Sequence, residues 1–373
     1  MEKNMSTTQN NSVSLDIDID TETFILPVSF IAIVTMFGFL GNLLVLIIFG
    51  RKKTKRTHTI FILGLAVSDF LVCSITLPFE IYETMNTFTF VSAAMCKIFR
   101  TYNYFVVSWS TFILIFLSVD RYRRVCQPLK GQLNSKTAYV LIFTALMISL
   151  SISWPQMFLQ GITKTLLDNK IRHQCTVSEE YVGMTYAVFY FYLIMAIAII
   201  NIMTITVLYT LIGRKIVLHM RYRNRFHAPK KVQSMNSQNS KDLELRFSIV
   251  EQSSAFTSDG RYSTPVIRDE SFTYRITKIA FAIGISFVIS YVPSVVLSLT
   301  EATLGKDYTK NLGSTSIAFV ILAEKSFAIN HVVNPFIYGF LDIAFRNKCK
   351  ILFKSATELF NYRKNHYRDR NSQ

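Results

Sequence analysis

Asp69 lies inside a long apolar stretch, and Asn42, Asn103, Glu324, Lys325 and His331 sit in others. A polar or ionised side chain is costly in an apolar medium unless it is partnered, so each such residue is a candidate for ion, ligand or signal handling. Asp120 and Arg121 form an adjacent acid–base pair at the end of a further apolar run. Glu80 and Glu83 are three apart and therefore share one face of a helix. These residue types suit recognition and switching rather than bond-making. No HExxH, GxSxG or phosphate-cradling loop is present, which argues against an enzyme. The five cysteines include no CxxC pair, so zinc and redox chemistry start without support.

The elements that must position these groups are apolar and long. Half of the 373 residues are hydrophobic and 17% are charged, against about a quarter charged in a soluble domain. About 20 apolar residues cross the hydrocarbon of a bilayer. Seven stretches qualify: Leu26–Gly50, Ile60–Met85, Cys96–Val125, Lys136–Phe158, Val182–Ile212, Phe272–Thr300 and Thr315–Phe340. The seventh is the least apolar, because it holds Glu324, Lys325 and His331.

Orientation follows from where Lys and Arg fall. Arg51–Arg56, Arg121–Lys130, Arg214–Lys231 and Arg346–Lys354 are basic and lie on one side, whereas residues 1–25 carry Lys3 and several acids. The N-terminus is expected outside and the C-terminus in the cytoplasm, as in a multi-pass plasma-membrane protein. Residues 1–25 lack an apolar core, so the first span is expected to serve as its own insertion signal. The net charge of +16 is then cytoplasmic topology and attraction to anionic membrane lipids, not nucleic-acid binding. Asn4 and Asn10 head glycosylation sequons in the outer segment. Residues 213–271 and 356–373 are polar and basic, and are expected to form a partly disordered cytoplasmic loop and tail.

Within the spans the polar groups come in a set order. It runs Gly41-Asn42, Leu65-Ala66-Val67-Ser68-Asp69, Asp120-Arg121-Tyr122, Phe287 with Tyr291-Val292-Pro293, then Asn334-Pro335-Phe336-Ile337-Tyr338. A short amphipathic stretch, 341–355, follows and contains Cys349. Across residues 26–355 this series resembles the rhodopsin-like family of G-protein-coupled receptors, and most of all its neuropeptide receptors. The resemblance implies an all-α membrane protein, a seven-helix bundle over 26–340 with a short amphipathic eighth helix.

The resemblance also implies roles. Asp69, Ser110, Asn330 and Asn334 match residues that surround an allosteric sodium ion, and no other cofactor is expected. Arg121 is held by Asp120 when inactive and turns toward a heterotrimeric G protein when active, meeting Tyr209 and Tyr338. Cys96 and Cys175 match the family's outer disulfide. Cys349 matches a palmitoylation site. Phe287, Tyr291 and Pro293 form the moving part of the sixth helix. Ser248, Ser253, Ser254 and Thr257 are sites where receptor kinases would recruit an arrestin.

Several positions depart from the family pattern. Ala145 stands where the fourth helix has a central Trp, Asn201 where the fifth has Pro, and Tyr291 where the sixth has Trp. Thr273 stands where many relatives have a second acid for Arg121, which predicts appreciable basal activity; Asp269 and Glu270 lie just before it. Asn103 and Ala328 stand where amine and retinal receptors need a carboxylate and a lysine, so those ligands are excluded. The Thr76-Leu77-Pro78 step and a long loop around Cys175, able to form a strand pair, fit a peptide receptor. Glu80, Glu83, Glu301 and Glu324 near a pocket mouth suit a ligand with Arg, Lys or a free amine, while Arg100 and Lys325 are able to neutralise them internally. A lipid or other small-molecule receptor and a non-signalling scavenger receptor are the alternatives. The intact Asp120-Arg121-Tyr122 speaks against the scavenger.

Overall fold

The computed structural model describes residues 22–51, 55–87, 89–167, 170–227, 267–304 and 312–370. Among the described residues, seven helices are long and apolar enough to cross a membrane: Thr23–Gly50, Thr57–Met85, Ala93–Cys126, Ser135–Leu159, Thr185–Leu218, Ile276–Thr300 and Ser314–Leu341. All seven stretches read from the sequence are found, and these are called the first to seventh spans. The shortest has 25 residues and reaches about 38 Å, more than the ~30 Å of hydrocarbon.

Outward faces carry Phe37, Phe143, Phe189, Ile200, Met203 and Ile289, all exposed. In water such a surface would aggregate; in lipid it is solvated. The fifth span is the most outward-facing of the seven, and its hydropathy is among the highest. Inward faces pack as three layers. Leu65, Leu114, Leu117, Ile205, Ile283 and Tyr338 belong to the largest. Ile31, Val72, Val106 and Ala328 form the next. Phe79, Phe90 and the two cysteines Cys96 and Cys175 form the third, with Phe79 stacked on Phe99 at 4.4 Å.

Prolines shape the spans by removing N–H donors. The second span takes a π-helical turn over Val72–Thr76, just before Leu77-Pro78. A widened turn is one way a helix absorbs a proline. In the sixth span Pro293 disturbs the ladder, and Ser326 of the seventh donates to the nearby Ser290 carbonyl at 2.7 Å. The fourth span breaks at Trp154-Pro155, and Tyr190 donates across to the Ile152 carbonyl at 2.9 Å. Ala145 is fully buried, and the Trp109 indole of the third span donates to the Ile142 carbonyl of the fourth at 3.3 Å.

The third and fourth spans start with short polar caps that satisfy orphan N–H groups. Ser92 accepts from Met95 N at 3.3 Å and Asn134 from Thr137 N at 2.8 Å. Asp342 ends the seventh span in an extended conformation and accepts from Ala344 N at 2.9 Å, which starts a new helix. That helix runs Ile343–Arg370, well past residue 355, where the sequence placed a tail. Its Phe345 stacks on Phe49 at 5.7 Å. The fifth and sixth helices likewise continue to His227 and from Ile267, into the segment read as a disordered loop.

Strands β1 (Gln160–Leu167) and β2 (Lys170–Val177) form the antiparallel pair foreseen around Cys175, with Ile162 opposite Cys175. The Cys96–Cys175 disulfide ties β2 to the start of the third span, Cα–Cα 5.5 Å.

Candidate functional site

At the disulfide end the spans enclose a cavity of about 850 Å³. Residues Cys175–Val177 of β2 roof it, and Phe287 and Tyr291 lie at its inner end, 4.5 Å apart. Glu83, Arg100, Asn103, Glu324 and Lys325 are among its lining residues. Each reaches inward from a different turn: Glu83 follows the π-helical turn, Arg100 and Asn103 share a face of the third span, and Lys325 sits in a 3-10 turn that interrupts the seventh.

These side chains form one ionic network. Lys325 Nζ donates to Glu80 Oε2 at 2.7 Å and to Glu324 Oε1 at 3.1 Å. Arg100 pairs with Glu83 and stands 3.9 Å from Glu80. Asn103 donates to Glu80 Oε1 at 3.0 Å. Glu80 is 1% exposed and is not among the lining residues, so it is not at the mouth as the sequence suggested. Its spacing from Glu83 gave a shared helix face but not depth, and depth makes it the enclosed counter-ion of Lys325. Glu83 and Glu324 do face the cavity. Glu83 Oε2 and Asn103 Oδ1 are buried without hydrogen-bond partners among the described residues. Glu324 keeps a half-exposed carboxylate. The side chain of Glu301, and residues Asn4 and Asn10, lie outside those described.

Below Tyr291 comes a fully buried polar cluster. Asp69 Oδ2 accepts from Asn334 Nδ2 at 2.7 Å and Oδ1 from Ser110 Oγ at 3.2 Å. His331, which motif matching passed over, places Nδ1 2.7 Å from Asp69 Oδ1 and Nε2 3.4 Å from the Tyr291 hydroxyl. Asn330 is also buried, but its Oδ1 has no hydrogen-bond partner among the described residues. Of the four oxygen-bearing residues expected together, Ser110 and Asn334 thus bond to Asp69. The signal for His331 was available in the sequence: an imidazole one residue past Asn330 in an apolar span.

At the opposite end Arg121 is 2% exposed, pairs with Asp120 and donates to it through Nε at 3.0 Å. Arg124 Nε reaches the same carboxylate at 3.2 Å. Tyr209 and Tyr338 are buried in the layer around Arg121. Gly284 makes room for Tyr209: a Cβ there would come within 2.1 Å of the ring. Tyr122 is only partly buried and packs against the same core. The side chains of Asp269, Glu270, Thr273 and Arg275 are outside those described, as are Ser248, Ser253, Ser254 and Thr257. Cys349 is partly buried against the same core, and burial pushes its thiol up.

The chain therefore has a roofed cavity at one end, a buried polar cluster at mid-depth and a held arginine at the other end. Comparison with known proteins agrees with this arrangement. Residues 41–338 match the 7 transmembrane receptor (rhodopsin family). The cholecystokinin receptor type A of Cavia porcellus is 25% identical over 84% of this chain and 77% of its own length. The neuromedin-U receptor 2 of Mus musculus is 24% identical over 86% of this chain and 73% of its own. The putative neuropeptide Y receptor 11 of Caenorhabditis elegans is 30% identical over 36% of this chain and 34% of its own. With the family matched over most of its length and the seven spans in place, the chain belongs to the rhodopsin family of seven-transmembrane receptors, multi-pass proteins of the plasma membrane.

Proposed function

We propose that this receptor binds an extracellular peptide bearing a basic residue or free amine, and passes the occupancy to a heterotrimeric G protein at the Arg121 end. The observation that carries the ligand class is the charge balance around the cavity. Three carboxylates, Glu80, Glu83 and Glu324, face two cations, Arg100 and Lys325. Lys325 holds Glu80 and Arg100 pairs with Glu83, so the one carboxylate in excess is the half-exposed Glu324, which lines the cavity. Glu83 Oε2 and Asn103 Oδ1 are acceptors only, and a cationic or amide donor satisfies them. An 850 Å³ cavity roofed by strand backbone suits the end of a peptide. The similarity to receptors named for cholecystokinin, neuropeptide Y and neuromedin-U supports the same class.

In this reading the disulfide end faces outside. Most basic residues of the short connections, Arg51, Lys55, Arg123, Lys130, Arg214 and Arg346, lie toward the Arg121 end and so face the cytoplasm. Ligand favours one of two helix packings. The sixth helix moves about Pro293, Tyr291 and Phe287 repack, and Arg121 leaves Asp120 for the G protein. Receptor kinases and arrestin act on the loop between the fifth and sixth helices, and Cys349 is acylated when the eighth helix lies on the inner leaflet.

The test is a series of peptides differing only in one basic residue or amine, read by G-protein activation in cells expressing the receptor. The reading requires Glu324→Gln to lower potency about tenfold or more for the basic peptide, the equivalent of one charge-assisted hydrogen bond. It also requires no change for the neutral analogue. Equal potency of both peptides at the wild-type receptor would refute the ligand class.

A further inference from the structure

The mid-depth cluster carries an inference that does not depend on the ligand. By resemblance to the family, Asp69 would hold a sodium ion together with Ser110, Asn330 and Asn334. The donor set around it is of a different kind. Asp69 is 0% exposed, and all three of its close contacts come from groups able to donate a proton: His331 Nδ1 at 2.7 Å, Ser110 Oγ at 3.2 Å and Asn334 Nδ2 at 2.7 Å. An ionised carboxylate only accepts, so Nδ1 carries the proton of the His331 contact. Nε2, on the other side of the ring, stands 3.4 Å from the Tyr291 hydroxyl. The ring is also 0% exposed and its backbone is pinned, since the His331 carbonyl accepts from Asn42 Nδ2 at 2.8 Å. A hard cation wants oxygen ligands and space at the carboxylate. Here an aromatic ring and an N–H take that space.

We propose that His331 replaces the cation: its imidazole occupies the sodium position on Asp69 and links it directly to Tyr291, so this receptor is insensitive to sodium. The spans that a cation would clamp through oxygens are joined by a continuous chain of side chains, from Tyr291 in the sixth through His331 in the seventh to Asp69 in the second. Asn330 Oδ1 and Asn334 Oδ1 are buried and without hydrogen-bond partners among the described residues. Replacing the ring by a small hydroxyl would give them, Ser110 and Asp69 a common space.

The experiment measures thermal unfolding of the purified full-length receptor in sodium, potassium and choline chloride at equal ionic strength, so no ligand is needed. The wild type is expected to unfold at one temperature in all three salts. His331→Ser is expected to unfold at a higher temperature in sodium than in the other two, with a shift that saturates with sodium concentration and is lost when Asp69→Asn is added. His331→Asn, which keeps a polar group of intermediate size, serves as the second variant should His331→Ser fail to fold. A saturable sodium stabilisation of the wild type, abolished by Asp69→Asn, would overturn the proposal. So would sodium insensitivity of every folded His331 variant, because the ring would then not be what excludes the ion.

Discussion

The side-chain amide of Asn42 in the first span donates to the main-chain carbonyl of His331 in the seventh at 2.8 Å. Pro335, four residues on, explains the bond. It has no N–H, so the His331 carbonyl has no partner in its own helix. Gly41 makes the approach possible, since a Cβ there would meet the Pro335 ring at 2.8 Å. The proline that marks the seventh helix in the sequence thus creates the vacancy that Asn42 fills, and the same bond fixes the ring that reaches Asp69.

Asn42→Leu keeps the size and removes the donor. The buried carbonyl keeps only the long contact from Cys73 Sγ at 3.9 Å, and losing the amide donor costs about 1–3 kcal/mol. The expected outcome is a lower unfolding temperature in purified receptor and reduced surface expression; an unchanged unfolding temperature would contradict the assignment.

The buried pair Lys325–Glu80 makes a sharper statement. Lys325→Met strands the enclosed Glu80 carboxylate, with Arg100 at 3.9 Å as its remaining cation. Breaking a buried pair from one side costs about 3–5 kcal/mol. Adding Glu80→Gln removes the stranded charge and is expected to recover most of the lost stability, as read by surface expression and thermal unfolding. If the double variant is as unstable as the single one, the two residues do not form a structural pair.

Gly284 bears on the Arg121 end. Gly284→Ala drives a methyl into the Tyr209 ring, so lower stability and altered ligand-free signalling are expected. Tyr209→Ala leaves a cavity of its own, but with the ring gone the added Gly284→Ala methyl meets no clash, so the double variant is expected to unfold at the temperature of Tyr209→Ala alone. A Gly284→Ala receptor that unfolds like wild type would show that the ring is placed elsewhere.

The disulfide closes a segment of 79 residues. Cys96→Ala with Cys175→Ala is expected to cost about 2–5 kcal/mol and to lose peptide response, because β2 then no longer roofs the cavity. Retained response at normal surface expression would contradict the cavity assignment.

Much of this molecule was legible in the sequence because a bilayer leaves few choices. Each span must be a long apolar helix, and each polar group inside it must find a partner. The seven spans followed directly, whereas the strand pair and Cys96–Cys175 came from the resemblance to the receptor family. Depth was harder to read. Glu80 and Glu83 share a face, but which one is enclosed depends on the π-helical turn before them and on Lys325, 245 residues away in the chain. His331 stands out in the sequence as a polar residue in an apolar span, but its role comes from where the ring points, onto Asp69. The bond from the Trp109 indole to the Ile142 carbonyl was illegible for the same reason: its two partners lie on different helices. The continuation of the last helix to Arg370 runs through residues whose polarity alone suggested a tail.

The most direct test of the account is G-protein activation by a peptide library in cells expressing the receptor, with Arg121→Ala measured beside the wild type. The account predicts a response to peptides carrying a basic residue or free amine, abolished by Arg121→Ala at equal surface expression and equal peptide binding. Peptide binding without any G-protein response in the wild type, or a response that survives Arg121→Ala undiminished, would contradict it.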